Sequence, residues 1–101
     1  MSIVNATIQA GFFMPYRTAS TTDAIANTDS TVNYTSGTFT ATLPTAASIT
    51  GKAITLINSG SGVITLATTS SQTIDGSSTS RTLAQWAVFR LVSDGANWKL
   101  I

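Results

Sequence analysis

The chain has 101 residues, enough for one domain, and contains no His, Cys or Glu, so that Asp23, Asp29, Asp75 and Asp94 are its sole carboxylates. That inventory excludes most general acid–base, nucleophilic and zinc chemistry, and no catalytic residue, metal site or cofactor is expected. Net charge is +1, with Arg17, Lys52, Arg81, Arg90 and Lys99 scattered, which argues against a nucleic-acid-tracking surface, and no apolar run approaches the roughly 20 residues of a membrane helix.

Charged residues make up only 9% of the chain, and nineteen Thr and thirteen Ser carry its polarity instead. Ordinary soluble domains carry about 25% charge. A Thr-, Val- and Ile-rich chain is poor helix material and good strand material. Its surface has little charge to keep copies apart, so a stable oligomer is the expectation.

Residues 1–31 are expected to form an N-terminal arm. Ile3, Val4 and Ile8 hint at a strand, and no basic leader precedes a long apolar stretch, so no signal peptide is expected. Phe12, Phe13, Met14 and Tyr16 form an apolar cluster interrupted by Pro15. Exposed apolar clusters mark interfaces, so Ile8, Phe12, Phe13, Met14 and Tyr16 are candidate contacts with a neighbouring subunit or larger assembly. The competing placement folds the segment back onto its own sheet. Residues 18–31 are small and polar, as in a linker or extended arm.

From residue 32 to 101, short alternating stretches separated by Gly, Ser and Asp predict a small antiparallel β-sandwich or barrel of jelly-roll type. Val32–Thr35 and Thr38–Leu43 come first, the latter with Phe39, Ala41 and Leu43 on one face, and Pro44 stops it. Residues 45–51 form a connector. Lys52–Asn58 and Val63–Thr68 flank Ser59-Gly60-Ser61-Gly62, which predicts a hairpin. A short strand at Gln72–Asp75 ends in Asp75-Gly76, and Thr79–Leu83 follows. Trp86–Ser93 is the strongest strand, turned by Asp94-Gly95-Ala96 into Asn97–Ile101. Trp86, Phe89 and Trp98 are candidates for core or subunit packing; an indole also stacks on sugars.

Leu43-Pro44-Thr45-Ala46, Gly51-Lys52, Asn58-Ser59-Gly60, Gln72-Thr73-Ile74-Asp75-Gly76, Val92-Ser93-Asp94-Gly95 and Asn97-Trp98 occur in an order and spacing that resembles a β-rich module of tailed-bacteriophage virion proteins. The resemblance runs from the strand at Thr38 to the C-terminus. It implies architecture and no catalytic residues: Pro44 and Gly51 bound a connector, residues 58–62 turn a hairpin, and Trp98 packs near the end. Similar modules form the distal parts of tail fibres and tailspikes, commonly as homotrimers, and also sit on capsids. Fibres carry a long shaft before such a module, whereas residues 1–31 precede it here. The resemblance therefore implies a trimeric capsid decoration (cement) protein on the outer virion surface, made in the bacterial cytoplasm. Its partners would be itself and the major capsid protein or another virion protein, with no nucleic acid and no membrane. The alternatives are a receptor-binding tip module of a tail fibre or tailspike contacting host-surface glycan, and a trimerising β-module of a bacterial adhesin.

Two other motifs are set aside. Ser59-Gly60-Ser61-Gly62 lacks the Lys-Ser or Lys-Thr of a phosphate loop. Asp75 and Asp94 stand in turn strings where Asp serves the backbone rather than calcium.

Overall fold

The computed structural model describes residues 14–101. Among them are nine strands and no helix: β1 (Tyr16–Ala19), β2 (Asp23–Ala24), β3 (Thr31–Tyr34), β4 (Phe39–Thr42), β5 (Ala53–Asn58), β6 (Ile64–Ala67), β7 (Arg81–Leu83), β8 (Val88–Ser93) and β9 (Trp98–Leu100). They form a five-stranded sheet in the order β1-β3-β5-β8-β9 and a four-stranded sheet in the order β2-β4-β6-β7.

Through β6 the chain coils. Each turn lays one strand on each sheet, and the next turn lays its strands alongside in parallel. Thus β1, β3 and β5 are parallel in one sheet, and β2, β4 and β6 in the other. Parallel neighbours need a long crossover; here a strand of the opposite sheet supplies it, so no helix is required. After β6 the direction reverses. β7 pairs antiparallel with β6, β8 with β5, and β9 with β8.

Alternation along each strand sends one row inward. Val32, Tyr34, Ile54, Leu56, Leu91 and Trp98 face Ala41, Ile64, Leu66 and Leu83, all at most 1% exposed. Burial of a large aliphatic side chain stabilises by about 1.5–3 kcal/mol, so this double row is what holds the sheets together. Tyr34 meets Phe39 edge to face at 5.4 Å between ring centres. The indole N–H of Trp98 donates to the Pro44 carbonyl at 3.2 Å, which satisfies the one polar atom of the largest core side chain.

The architecture corrects several expectations. It is sandwich-like, but the sheets are mixed rather than antiparallel, and they do not close into a barrel. Residues 58–62 do not turn a hairpin: β5 and β6 lie in different sheets, and the loop passes between the layers. Its glycines are needed there. A Cβ on Gly60 would come within 2.8 Å of the Ser36 backbone, and one on Gly62 would collide with the Gly37 carbonyl. Residues 16–24, expected as arm and linker, supply the first strand of each sheet. Gln72–Asp75 is not a full strand; Ile74 makes isolated bridges to Ser77 and Trp98.

Two turns are as expected. Asp75 (φ 52°) and Gly76 (φ 82°) occupy the centre of a tight turn closed by mutual Ile74–Ser77 hydrogen bonds, the mirror-image geometry that Asp-Gly favours. Asp94 Oδ1 accepts the Ala96 and Asn97 N–H groups at 2.9 and 2.8 Å and sets the β8–β9 hairpin. Those N–H groups, Asn97 foremost, hold the Asp94 carboxyl below its ordinary range.

Candidate functional site

Part-buried and buried polar groups come first, because chemistry would need them free. Arg17 on β1 points inward and forks onto Asp29, Nε to Oδ1 and Nη2 to Oδ2, both at 2.9 Å. Its Nη2 also donates to Asp23 Oδ2 at 2.8 Å, and the same oxygen accepts the Tyr34 hydroxyl at 2.9 Å. The Ala26 N–H donates to Asp29 as well. Arg17 is held protonated above its ordinary value by Asp29 and then Asp23, and Asp29 is held below the usual carboxylate range chiefly by Arg17. Burial first, then the bond to Asp23, pushes the Tyr34 phenol far up. Every charge here is paired, so the cluster ties together the first coil.

The second buried group is Asn58, 1% exposed at the end of β5. Its Nδ2 donates to the Gly62 and Leu83 carbonyls, both at 2.8 Å, and its Oδ1 accepts the Gly60 N–H at 3.0 Å. Its backbone carbonyl accepts the Trp86 N–H, and its own N–H donates to Ala87. One side chain therefore joins the β5–β6 crossover to the β7–β8 turn.

That turn runs from Ala84 to Ala87 and is closed by the Ala87 N–H on the Ala84 carbonyl at 3.0 Å. Trp86 stands at its third position with φ 68° and 72% exposure. Turns with a left-handed third residue normally place Gly or Asn there, because a Cβ costs about 1–2 kcal/mol. A large, exposed aromatic at such a position is the most unusual local feature among the described residues.

The two outer faces differ. On the four-stranded sheet the outward residues are Thr40, Thr65 and Thr82 in one cross-strand row and Ala24, Thr42 and Ala67 in the other. Its strand residues offer only hydroxyls and methyls, and Val63 is exposed just ahead of β6. On the five-stranded sheet one outward row is Tyr16, Thr31, Thr55 and Arg90, and the next is Thr18, Asn33, Ile57 and Val88. Tyr16 and Val88 are 60% and 56% exposed, and the Ile101 N–H donates to the Arg90 backbone carbonyl at 2.8 Å. Arg90 and Lys99 project from its β8–β9 side, and no strand residue on this face is a carboxylate.

Of the residues singled out by sequence, Ile8, Phe12 and Phe13 lie outside the described residues. Met14 and Tyr16 are exposed. Trp98 packs wholly inside its own chain and has no surface left for a neighbour. Phe89 is half-buried against the same core. Trp86 does not begin β8; it is exposed ahead of it. Sequence reasoning missed Asn58 and the Arg17 cluster. Asn58-Ser59-Gly60 was visible as a turn string, but nothing in it marks the Asn as buried.

Among the described residues there is no enclosed pocket and no group of three potential metal ligands. Compared with protein-family profiles, with curated proteins and with solved structures, the chain finds no match in any of the three.

Proposed function

We propose that this chain is a structural protein of a tailed-phage virion, a homotrimeric decoration protein that binds and reinforces the outer capsid through its five-stranded face and the segment leading into β1. The observation that supports this reading is the division of labour between the two faces. Tyr16 on the β1 edge and Val88 on β8 are exposed on the outward side of the five-stranded sheet, while the outward strand residues of the opposite sheet are Thr and Ala, with Val63 exposed just ahead of β6. A surface divided in this way suits a protein that sits on another surface and turns a neutral, hydroxylated side to solvent. Affinity would come from burial of Met14, Tyr16, Val88 and neighbouring residues, and weak contacts would gain by avidity across a symmetric shell.

Co-sedimentation tests it. The purified chain should bind saturably to expanded shells of the capsid protein encoded beside it, and a variant lacking residues 1–13 should fold yet lose that binding. Saturable binding to host cells with none to shells would favour a receptor-binding tip and refute decoration.

A further inference from the structure

Four connections meet at one end of the molecule: residues 20–22, 35–38, 59–63 and 84–87, between successive strands. They are bound into one body. A Cβ on Gly37 would approach the Ser20 carbonyl, Gly60 and Gly62 pack against residues 35–38, and Asn58 clasps Gly62 and Leu83. No charged residue occurs in any of the four. They carry hydroxyl groups in three of the four loops, Gln85, one exposed aliphatic side chain, Val63, and a single aromatic, Trp86.

Trp86 stands out within that end for a second reason. Its left-handed backbone is the position glycine takes without strain, yet the side chain is 72% exposed and so gains little from burial in its own chain. Strain kept at an exposed aromatic points to a contact made outside the fold. Its rigid support, through the Trp86 N–H to Asn58 and the Ala84–Ala87 closure, would hold the indole in place before a ligand arrives, which lowers the cost of binding.

We propose that the Trp86 turn is a surface saccharide site for a neutral sugar, with a pyranose face lying on the indole and its hydroxyls meeting the Ser, Thr and Gln side chains around it. The chemistry selects the ligand. Aromatic rings with a polar handle suit an apolar sugar face, while a charge-free, hydroxylated rim offers nothing to a phosphate, a nucleic acid or a sialylated glycan. A protein hot spot would instead have an apolar surround that excludes water. The absence of an enclosed pocket among the described residues means that the sugar lies on the surface and binds weakly. This site is separate from the five-stranded face and stands or falls independently of capsid decoration.

The test uses the full chain and its two indole N–H resonances. Maltotriose, a β1,4-linked N-acetylglucosamine trimer, lactose and sialyllactose are titrated to about 10 mM, the range of a weak surface contact. At least one neutral sugar should shift the Trp86 signal saturably, while the Trp98 signal, from a buried and hydrogen-bonded indole, stays still. Trp86→Gly should weaken that binding about tenfold or more and should melt at the same or a higher temperature, because glycine relieves the left-handed strain. The proposal is overturned if no neutral sugar moves the Trp86 signal, if sialyllactose alone does, or if Trp86→Gly binds as before. A lower melting temperature in Trp86→Gly would show that the indole serves its own fold, and would overturn it too.

Discussion

Replacing Asn58 should unfasten the joint between the two sheets. In Asn58→Ala the Gly62 and Leu83 carbonyls each lose a donor at 2.8 Å, while the Gly60 N–H keeps a partner in the Tyr34 carbonyl at 3.1 Å. The buried Leu83 carbonyl and the part-buried Gly62 carbonyl, left without this donor, cost about 1–3 kcal/mol each, the second toward the low end. The expected loss is therefore about 2–5 kcal/mol, a large part of the roughly 5–15 kcal/mol that stabilises a small domain. Asn58→Asp keeps the shape but presents a carboxylate to the same two carbonyls, which is worse at neutral pH. The introduced carboxyl is destabilised when ionised, so its folded pKa is raised; stability lost above that pKa returns in part as pH falls through it and one O–H becomes a donor. Urea unfolding followed by near-ultraviolet dichroism of Trp98 measures both. With a slope of about 1–2 kcal/mol per molar urea, the midpoint of Asn58→Ala should fall by about 2 M. A loss under about 1 kcal/mol for Asn58→Ala, or an Asn58→Asp variant whose deficit does not shrink between pH 7 and pH 4.5, would refute the reasoning.

The ionic cluster of the first coil predicts opposite limbs of the pH–stability curve. Asp29 has a depressed pKa, so its contribution is present above the unfolded value of about 4 and is lost as pH falls through the lower folded value. Asp29→Asn should remove that acid limb at a cost of about 1 kcal/mol at pH 7, modest because Arg17 is one-third exposed. Tyr34 has a raised pKa, so its contribution is full below about pH 10 and falls as pH rises further. Tyr34→Phe should lose about 1 kcal/mol at neutral pH and flatten the alkaline limb; thermal melts from pH 3 to 11 check both. Gly62→Ala should fail to fold or lose more than about 3 kcal/mol, because its Cβ falls on the Gly37 carbonyl, whereas Gly76→Ala, with open space around it, should cost only the φ penalty of about 1 kcal/mol. Equal costs in a urea series would contradict the account of the crossover.

Strand positions were largely legible from alternation and turn residues. β5, β8 and β9 lie within a residue or two of the stretches Lys52–Asn58, Trp86–Ser93 and Asn97–Ile101, and Asp75-Gly76 and Asp94-Gly95 turn the chain as their residue types require. Strand partners were not legible. Alternation tells which side chains face inward, but not which sheet a strand joins, and in a coil the neighbour of Val32 is Leu56, a full turn away. The β5–β6 loop looks like a hairpin for that reason. Only the tight packing of Gly60 and Gly62 on residues 35–38, invisible in one dimension, shows that it passes between the sheets. The strands at Tyr16–Ala19 and Asp23–Ala24 were hidden by polar composition, since Arg17 and Asp23 occupy inward positions where an apolar residue is the usual signal. Trp86 escaped because residue type gives no warning of a left-handed tryptophan.

The central claim concerns a trimer that binds shells through its five-stranded face, and co-sedimentation of a trimer altered on that face tests it most directly. Light scattering at micromolar concentration should give three times the 10.5 kDa chain mass. Val88→Asp, which alters an exposed side chain and leaves the core untouched, should keep that mass and the melting temperature but lose saturable binding to shells. A monomeric wild-type chain, or a Val88→Asp trimer that binds shells as before, would contradict it.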